Sequence, residues 1–242
     1  MKNKIFIITD YKGQFGSKWD SDPYRSGFQL SLLVDMFEDS GYKTCIINFS
    51  EAANGNQIKK NDYVIYTSTE DTNYQYKDFI DDVIYYLNEK GVKLIPGYEF
   101  LKATNNKVSM ELLRKLIFPN SENLESNVYG ALEEYEEKSP RKSLVFKKPK
   151  GAMSRGVYLS KNSSDRNKII SNVSRSKNYK QEIKDYFRAY KHDRYILESR
   201  YRSKFVVQSF VKELACDYKI LIFGSKYFIF SRPVRENDFR AS

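Results

Sequence analysis

Cysteine, histidine and tryptophan are nearly missing from this sequence: two, one and one in 242 residues. Cys45 falls inside a strand-like run and Cys216 in a polar turn, so no disulfide framework is expected. The same scarcity excludes a cysteine-based metal site and points to a reduced, cytoplasmic setting. The lone histidine, His192, sits in the charged, helix-like AYKHDRY and reads as a surface residue. A Ser-His-Asp hydrolase or a His/Cys metal site therefore has nothing to be built from. Long apolar runs are lacking too. No stretch nears the roughly 20 residues that span a bilayer, and mean hydropathy is −0.65, so no membrane partner is expected. The early run Ile5 to Ile8 is too short for a signal-peptide core and reads as a first buried strand.

What is present is charge and aromatic carbon. The net charge of +10 points to an anionic partner: nucleic acid, anionic membrane or a phosphate-bearing small molecule. Richness in Lys, Asn, Ile and Tyr would also follow from AT-rich coding sequence, so charge alone decides nothing. With 20 tyrosines and 16 phenylalanines, a basic groove with stacking rings for single-stranded nucleic acid is conceivable. Most of these rings, however, fall on core faces of strands and helices, and no nucleic-acid motif is present. No specific nucleic-acid partner is expected.

The length fits one to two domains. Over the first hundred residues, apolar runs alternate with amphipathic patterns. KIFIIT, TCIINF, DYVIYT and VKLIPG read as strands. Two helices lie between them, one with Phe28, Leu32, Met36 and Phe37 on its inner face, the other with Phe79, Ile80, Val83, Ile84 and Leu87. This predicts an α/β domain over 1–100 with a small, mainly parallel sheet. Over 101–242 the pattern changes. A helix from about Asn105 to Leu116 is followed by a polar acidic stretch and two strands around GAMSRG. A charged helical segment runs from about Asp165 to Tyr190, and three successive strands close the chain. This predicts an α+β domain with antiparallel sheets.

Several segments could carry chemistry. Gly151 and Gly156 have the internal spacing of a Walker A loop, but Val157 follows and the chain continues as a strand, so that reading fails. What remains is a small-residue loop behind Lys147, Lys148 and Lys150, suited to an anion or simply the polar tip of a hairpin. Lys107 stands in the first turn of a helix, where a cation opposes the helix dipole unless an anion sits in front of both. In FVVQSFVKELACDYKILIFG a buried strand leads to Asp217 through a short connection, the parts of a purine edge and a ribose acid, although any hairpin has them.

Taken together and in order, NNKVSMELL, VFKKPKGAMSRGVYL, FVVQSFV with CDYKILIFG, and RPVRENDFRAS resemble the ATP-grasp superfamily, over about residues 95–242. The last two look most like its glutathione-synthetase and ribosomal-protein glutamate-ligase branch. The resemblance implies an N-terminal substrate-side domain, a grasp holding ATP between antiparallel sheets, and a ligase that activates a carboxylate as an acyl phosphate before an amine or thiol attacks. It further implies that Lys107 and Lys148 touch ATP phosphates, with Lys147 the neighbour that could be confused with Lys148. The loop from Gly151 through Ser154 to Gly156 would close over those phosphates. Gln208, Phe210 and Val211 would form the adenine hinge, and Asp217 would bind ribose. Arg232, Arg235 and Arg240 would stand near the γ-phosphate and the acyl phosphate. Ser209 stands where the family often has Glu. The Mg2+ carboxylates, a downstream Asp and a Glu-x-Asn, are expected beyond residue 242, so a non-catalytic nucleotide-binding module is the alternative to an active ligase. The carboxylate is expected near the loops Gln14–Trp19 and Thr67–Tyr74, at the ends of the first and third strands.

Overall fold

A computed structural model describes residues 4–16, 29–68, 74–119, 125–137, 142–151, 155–234 and 238–239. The chain divides into two compact units, Met1–Thr104 and Asn105–Ser242.

The first unit is a four-stranded parallel sheet in the order β2-β1-β3-β4, built from β1 (Lys4–Thr9), β2 (Lys43–Asn48), β3 (Tyr63–Tyr66) and β4 (Lys93–Ile95). The continuous apolar run of β1 follows from burial on both faces. Phe6 and Ile8 enter one core with Val64, Tyr66 and the Ile80, Val83, Ile84 and Leu87 row of α3 (Gln75–Glu89). Ile5 and Ile7 enter the other with Phe15, Ile65 and α1 (Leu30–Asp39). On α1 the inner row differs from the expected one. Leu30, Leu33, Val34 and Phe37 pack inward, whereas Leu32 and Met36 are 54% and 61% exposed. The row through Leu32 also carries Asp35 and Asp39, whose carboxylates could not be buried unpaired. Phe28 lies outside the described residues. Two short helices escaped the sequence reading. One is α2 (Phe49–Asn54), opened by a reciprocal Asn48–Glu51 capping box. The other is α4 (Tyr98–Ala103), tied to α3 where Lys77 Nζ donates to Leu101 O and to Asp81.

The second unit is built on an antiparallel sheet in the order β5-β8-β6-β7, made of β5 (Ser126–Tyr129), β6 (Leu144–Lys147), β7 (Val157–Ser160) and β8 (Phe205–Ser209). One face carries Phe146, Phe205 and Val207 against Ile170 and Val173 of α6 (Ser163–Ser174); the other meets α5 (Lys107–Ile117). The three closing strands do not run side by side in one sheet. The run Phe205–Gln208 is buried throughout, so β8 takes a central place between β5 and β6. The largely exposed β9 (Cys216–Phe223) and β10 (Lys226–Pro233) pair only with each other among the described residues. The charged segment is two helices rather than one. After α6 the chain breaks at Arg175, whose guanidinium pairs with Glu182, and restarts as α7 (Tyr179–Lys191) under an Asn178 cap. The α/β plus antiparallel α+β architecture is the one expected. Among the described residues no helix is long and apolar enough to cross a membrane.

Candidate functional site

Of α5 only Glu111 is fully buried, with Lys107 and Arg114 half-buried on the same face, while several of its apolar residues are exposed. Its inner positions include Lys107, Glu111 and Arg114, one face at i, i+4 and i+7, while Met110, Leu116 and Ile117 are about half exposed or more. At its start Asn106 caps the Ser109 N–H, Lys107 N donates to Pro149 O at 2.9 Å, and Lys107 Nζ donates to Gly151 O at 2.7 Å. The helix is thereby fastened to the loop between β6 and β7 at its first turn.

Glu111 organises this face, and the sequence reading missed it. It is 5% exposed. Its Oε2 accepts from Arg114 Nε and Nη2 at 3.1 and 3.0 Å and from Ser126 Oγ at 2.5 Å, and its Oε1 accepts from Gln208 Nε2 at 2.7 Å. One carboxylate thus joins α5 to β5 and β8. Burial by itself would push the Glu111 carboxyl up; the bonds from Ser126 and Arg114, with the charges of Arg114 and Lys147, outweigh it and hold the carboxyl below its ordinary value. The sequence did carry a signal: a Lys-Glu-Arg row on one face of a helix whose other positions, Ser109 and Lys115 apart, are apolar.

The pleat of β6 separates the neighbouring lysines. Lys147 points to the α5 face, where burial pulls its ammonium down, Glu111 pushes back up and Lys107 adds to the lowering. Lys107 is itself lowered by burial. Lys148 lies on the opposite face: its Nζ donates to Asn172 Oδ1 on α6 at 3.1 Å and sits 5.8 Å from the Tyr158 ring centre. Lys147, rather than Lys148, shares the face with Lys107.

The loop closes where Lys148 N donates to Gly156 O at 2.8 Å. Gly151 has φ +134°, and a Cβ there would come within 2.7 Å of Arg155 O, so only glycine fits. Ser154 lies outside the described residues. Beyond β8, Gln208 is committed to Glu111, Phe210 N donates to Ser143 O at 3.2 Å, and Val211 is about half exposed. Asp217 and Arg232 face each other across β9 and β10 and form a bidentate pair, Nε to Oδ1 and Nη2 to Oδ2, both 2.6 Å. Arg235 and Arg240 lie outside the described residues. Lys147 and Gln208 therefore meet Glu111, Lys107 ties the same face to Gly151, Lys148 stands apart, and Asp217 and Arg232 occupy each other on the hairpin. The α5 face has the donors and small-residue backbone that a polyphosphate needs. Among the described residues no group of three or more His, Cys, Asp or Glu side chains that could hold a metal ion occurs.

No family model matches the chain, and no curated protein matches it. Solved structures do. A RimK domain protein ATP-grasp from Sphaerobacter thermophilus is 10% identical, with 90% of this chain and 68% of that one covered at a TM-score of 0.39. The D-alanine–D-alanine ligase from Bacillus anthracis is 11% identical, with 97% and 72% covered at 0.42. D-alanyl-alanine synthetase A from Vibrio cholerae is 12% identical, with 97% and 68% covered at 0.38.

Proposed function

We propose that this chain is an ATP-binding protein of ATP-grasp type, built for the chemistry of a carboxylate–amine or carboxylate–thiol ligase. The observation that carries the reading is the pair Lys107 and Lys147, both desolvated, both lowered, on one face beside the Gly151 loop. The two half-buried like charges repel, and the Glu111 carboxylate on the same face is already committed to Arg114, Ser126 and Gln208, so a triphosphate would supply the anion that offsets both. The motif order in the sequence and the α/β plus antiparallel architecture support the same reading.

In this reading Lys107 and Lys147 hold phosphate oxygens, the loop from Gly151 to Gly156 covers them, and the end of β8 from Gln208 to Val211 faces the base. Asp217 and Arg232 serve ribose and phosphate only by exchanging their mutual pair for the ligand. When bound, ATP supplies the phosphoryl group that turns a carboxylate into an acyl phosphate. Calorimetric titration with ATP tests the reading. Lys107→Ala and Lys147→Ala are each expected to weaken binding about 10- to 100-fold, and Lys147→Ala more than Lys148→Ala. A parent chain that takes up no ATP, or a larger loss from Lys148→Ala, refutes it.

A second reading, a nucleotide-binding module without turnover, is favoured by the lack of a metal-capable cluster among the described residues. ADP release in the presence of magnesium separates the two: binding with release favours the ligase, binding without it the module.

A further inference from the structure

α7 presents its apolar row to solvent and keeps its acids covered. Asp185 is 3% exposed. Its Oδ1 accepts from Gln181 Nε2 at 2.8 Å, from the Tyr195 hydroxyl at 2.9 Å and from Arg188 Nη1 at 3.2 Å. Glu182 Oε2 accepts from Arg175 Nη2 at 2.8 Å, its Oε1 pairs with Arg175 Nη1, and Arg200 Nε lies 3.7 Å away. Rolling the helix to bury its apolar row would strip both carboxylates of these donors, so the outward row is held in place.

That row is Tyr179, Ile183, Tyr186, Phe187 and Tyr190, which are 62%, 58%, 53%, 72% and 92% exposed. At 3.6 residues per turn the five span about 100° of the helix surface. Lys180, Lys184 and Lys191 are all exposed and follow within about the next 60° on one side of the stripe. Two of the rings are steadied in advance. The Arg175 guanidinium stands 5.3 Å from the centre of Tyr179, and that of Arg200 stands 5.0 Å from Tyr186 and donates to its hydroxyl. Rings already ordered lose less freedom on binding.

The chemistry of the stripe narrows what covers it. Side chains this far exposed form a ridge, whereas recognition of a helix or of a single nucleic-acid strand is built on a groove. A second copy would bring the same lysines and the same net charge of +10 against them. An anionic lipid surface meets each requirement: it is fluid enough to take a ridge, negative beside the lysines, and wet where the tyrosine hydroxyls lie. The expectation of no membrane partner came from the lack of a spanning run, which does not bear on a helix lying in the surface.

We infer that α7 lies in the headgroup region of an anionic bilayer, with its aromatic stripe toward the acyl chains and Lys180, Lys184 and Lys191 beside the lipid phosphates. Binding of this kind requires no nucleotide and stands apart from the ATP reading.

Co-sedimentation of the full chain with sucrose-loaded vesicles tests the inference, using phosphatidylcholine alone and phosphatidylcholine mixed with phosphatidylglycerol. Saturable binding to the mixed vesicles is expected, weaker in added salt and much weaker on phosphatidylcholine alone. Phe187→Ser with Tyr190→Ser is expected to weaken it about 10-fold or more. Changing Lys180, Lys184 and Lys191 together to Gln is expected to weaken it about 100-fold on the mixed vesicles. The charge-matched change of Lys43, Lys59 and Lys60 to Gln, all exposed in the first unit, is expected to cost less than about 3-fold through screening. The replaced side chains of α7 are exposed, and the aromatic and lysine sets are independent of each other, so one decides if the other fails to fold. Failure to bind the mixed vesicles overturns the inference. So does an equal loss from the two lysine sets, which makes the attraction one of net charge alone. A single-stranded oligonucleotide bound more tightly than the vesicles, with the same losses in the α7 variants, gives the stripe to nucleic acid and overturns it as well. Self-association through the same residues, stronger in salt and without vesicle binding, gives the stripe to a second copy with the same consequence.

Discussion

Glu111 does with one side chain what the apolar residues of α5 do not do, holding the helix against β5 and β8. Glu111→Ala strands Gln208, Ser126 and Arg114 without their acceptor and is expected to cost about 3 kcal/mol, read as a lowered midpoint in urea. The pH dependence has a definite sign. The folded carboxyl lies below the ordinary 4.5, so its contribution is present above that value and is lost as pH falls through the folded pKa. Glu111→Gln should therefore lose less stability on acidification than the parent chain; equal acid slopes would contradict this. For the lysines the slope has the same sign, but the contribution is a cost rather than a gain. Lys107 and Lys147 are pulled below 10.5, so their charged forms cost stability below the folded pKa, and the cost is relieved as pH rises towards 10.5. A bound polyphosphate should push both back up. ATP binding in alkaline buffer below 10.5 is then expected to take up protons, visible as a binding enthalpy that changes with the buffer's ionisation enthalpy. Lys107, Lys147 and Gln208 were all legible in the sequence as residue types. That Lys147 and Gln208 meet at Glu111 was not, because a carboxylate satisfied by distant partners leaves no local pattern beyond its place on a helix face.

At the level of elements, the two helices with doubtful inner faces, α1 and α5, follow the same physics with opposite results. On α1 two apolar rows compete, and the one free of Asp35 and Asp39 goes inward. Val34→Asp is accordingly expected to destabilise the first unit by about 2–3 kcal/mol and Met36→Asp by less than about 0.5, as thermal unfolding would show. Equal effects would place the wrong row against the sheet. On α5 the polar row goes inward because each of its charges finds partners there. Apolar periodicity thus located both helices without orienting either. Strands were more readable: uninterrupted apolar runs gave β1 and β8 their central positions. The pairing of Asp217 with Arg232 was also within reach, since a two-residue turn at Gly224–Ser225 puts those positions opposite each other. β5 was hidden because its four residues, Ser-Asn-Val-Tyr, follow an acidic stretch and contain little apolar pattern.

For the molecule as a whole, the uneven feature is the apolar surface of the second unit. Phe187 and Tyr190 of α7 are 72% and 92% exposed. Ile220, Ile222, Tyr227 and Ile229 of the hairpin are all more than half exposed. Exposed apolar area on this scale ordinarily marks association, while the charge of +10 opposes it by repulsion. Concentration-dependent sedimentation, strengthened by salt and weakened by Phe187→Glu or Ile222→Lys, is the expected outcome; an ideal monomer at every salt concentration would contradict it. The division at Thr104 and Asn105 has another consequence. The parallel sheet with its two cores lies wholly before it, and the lysine pair with its loop lies wholly after it. A recombination event at that junction would break neither. The two units are thus separately heritable, and descendants could exchange one while keeping the other intact.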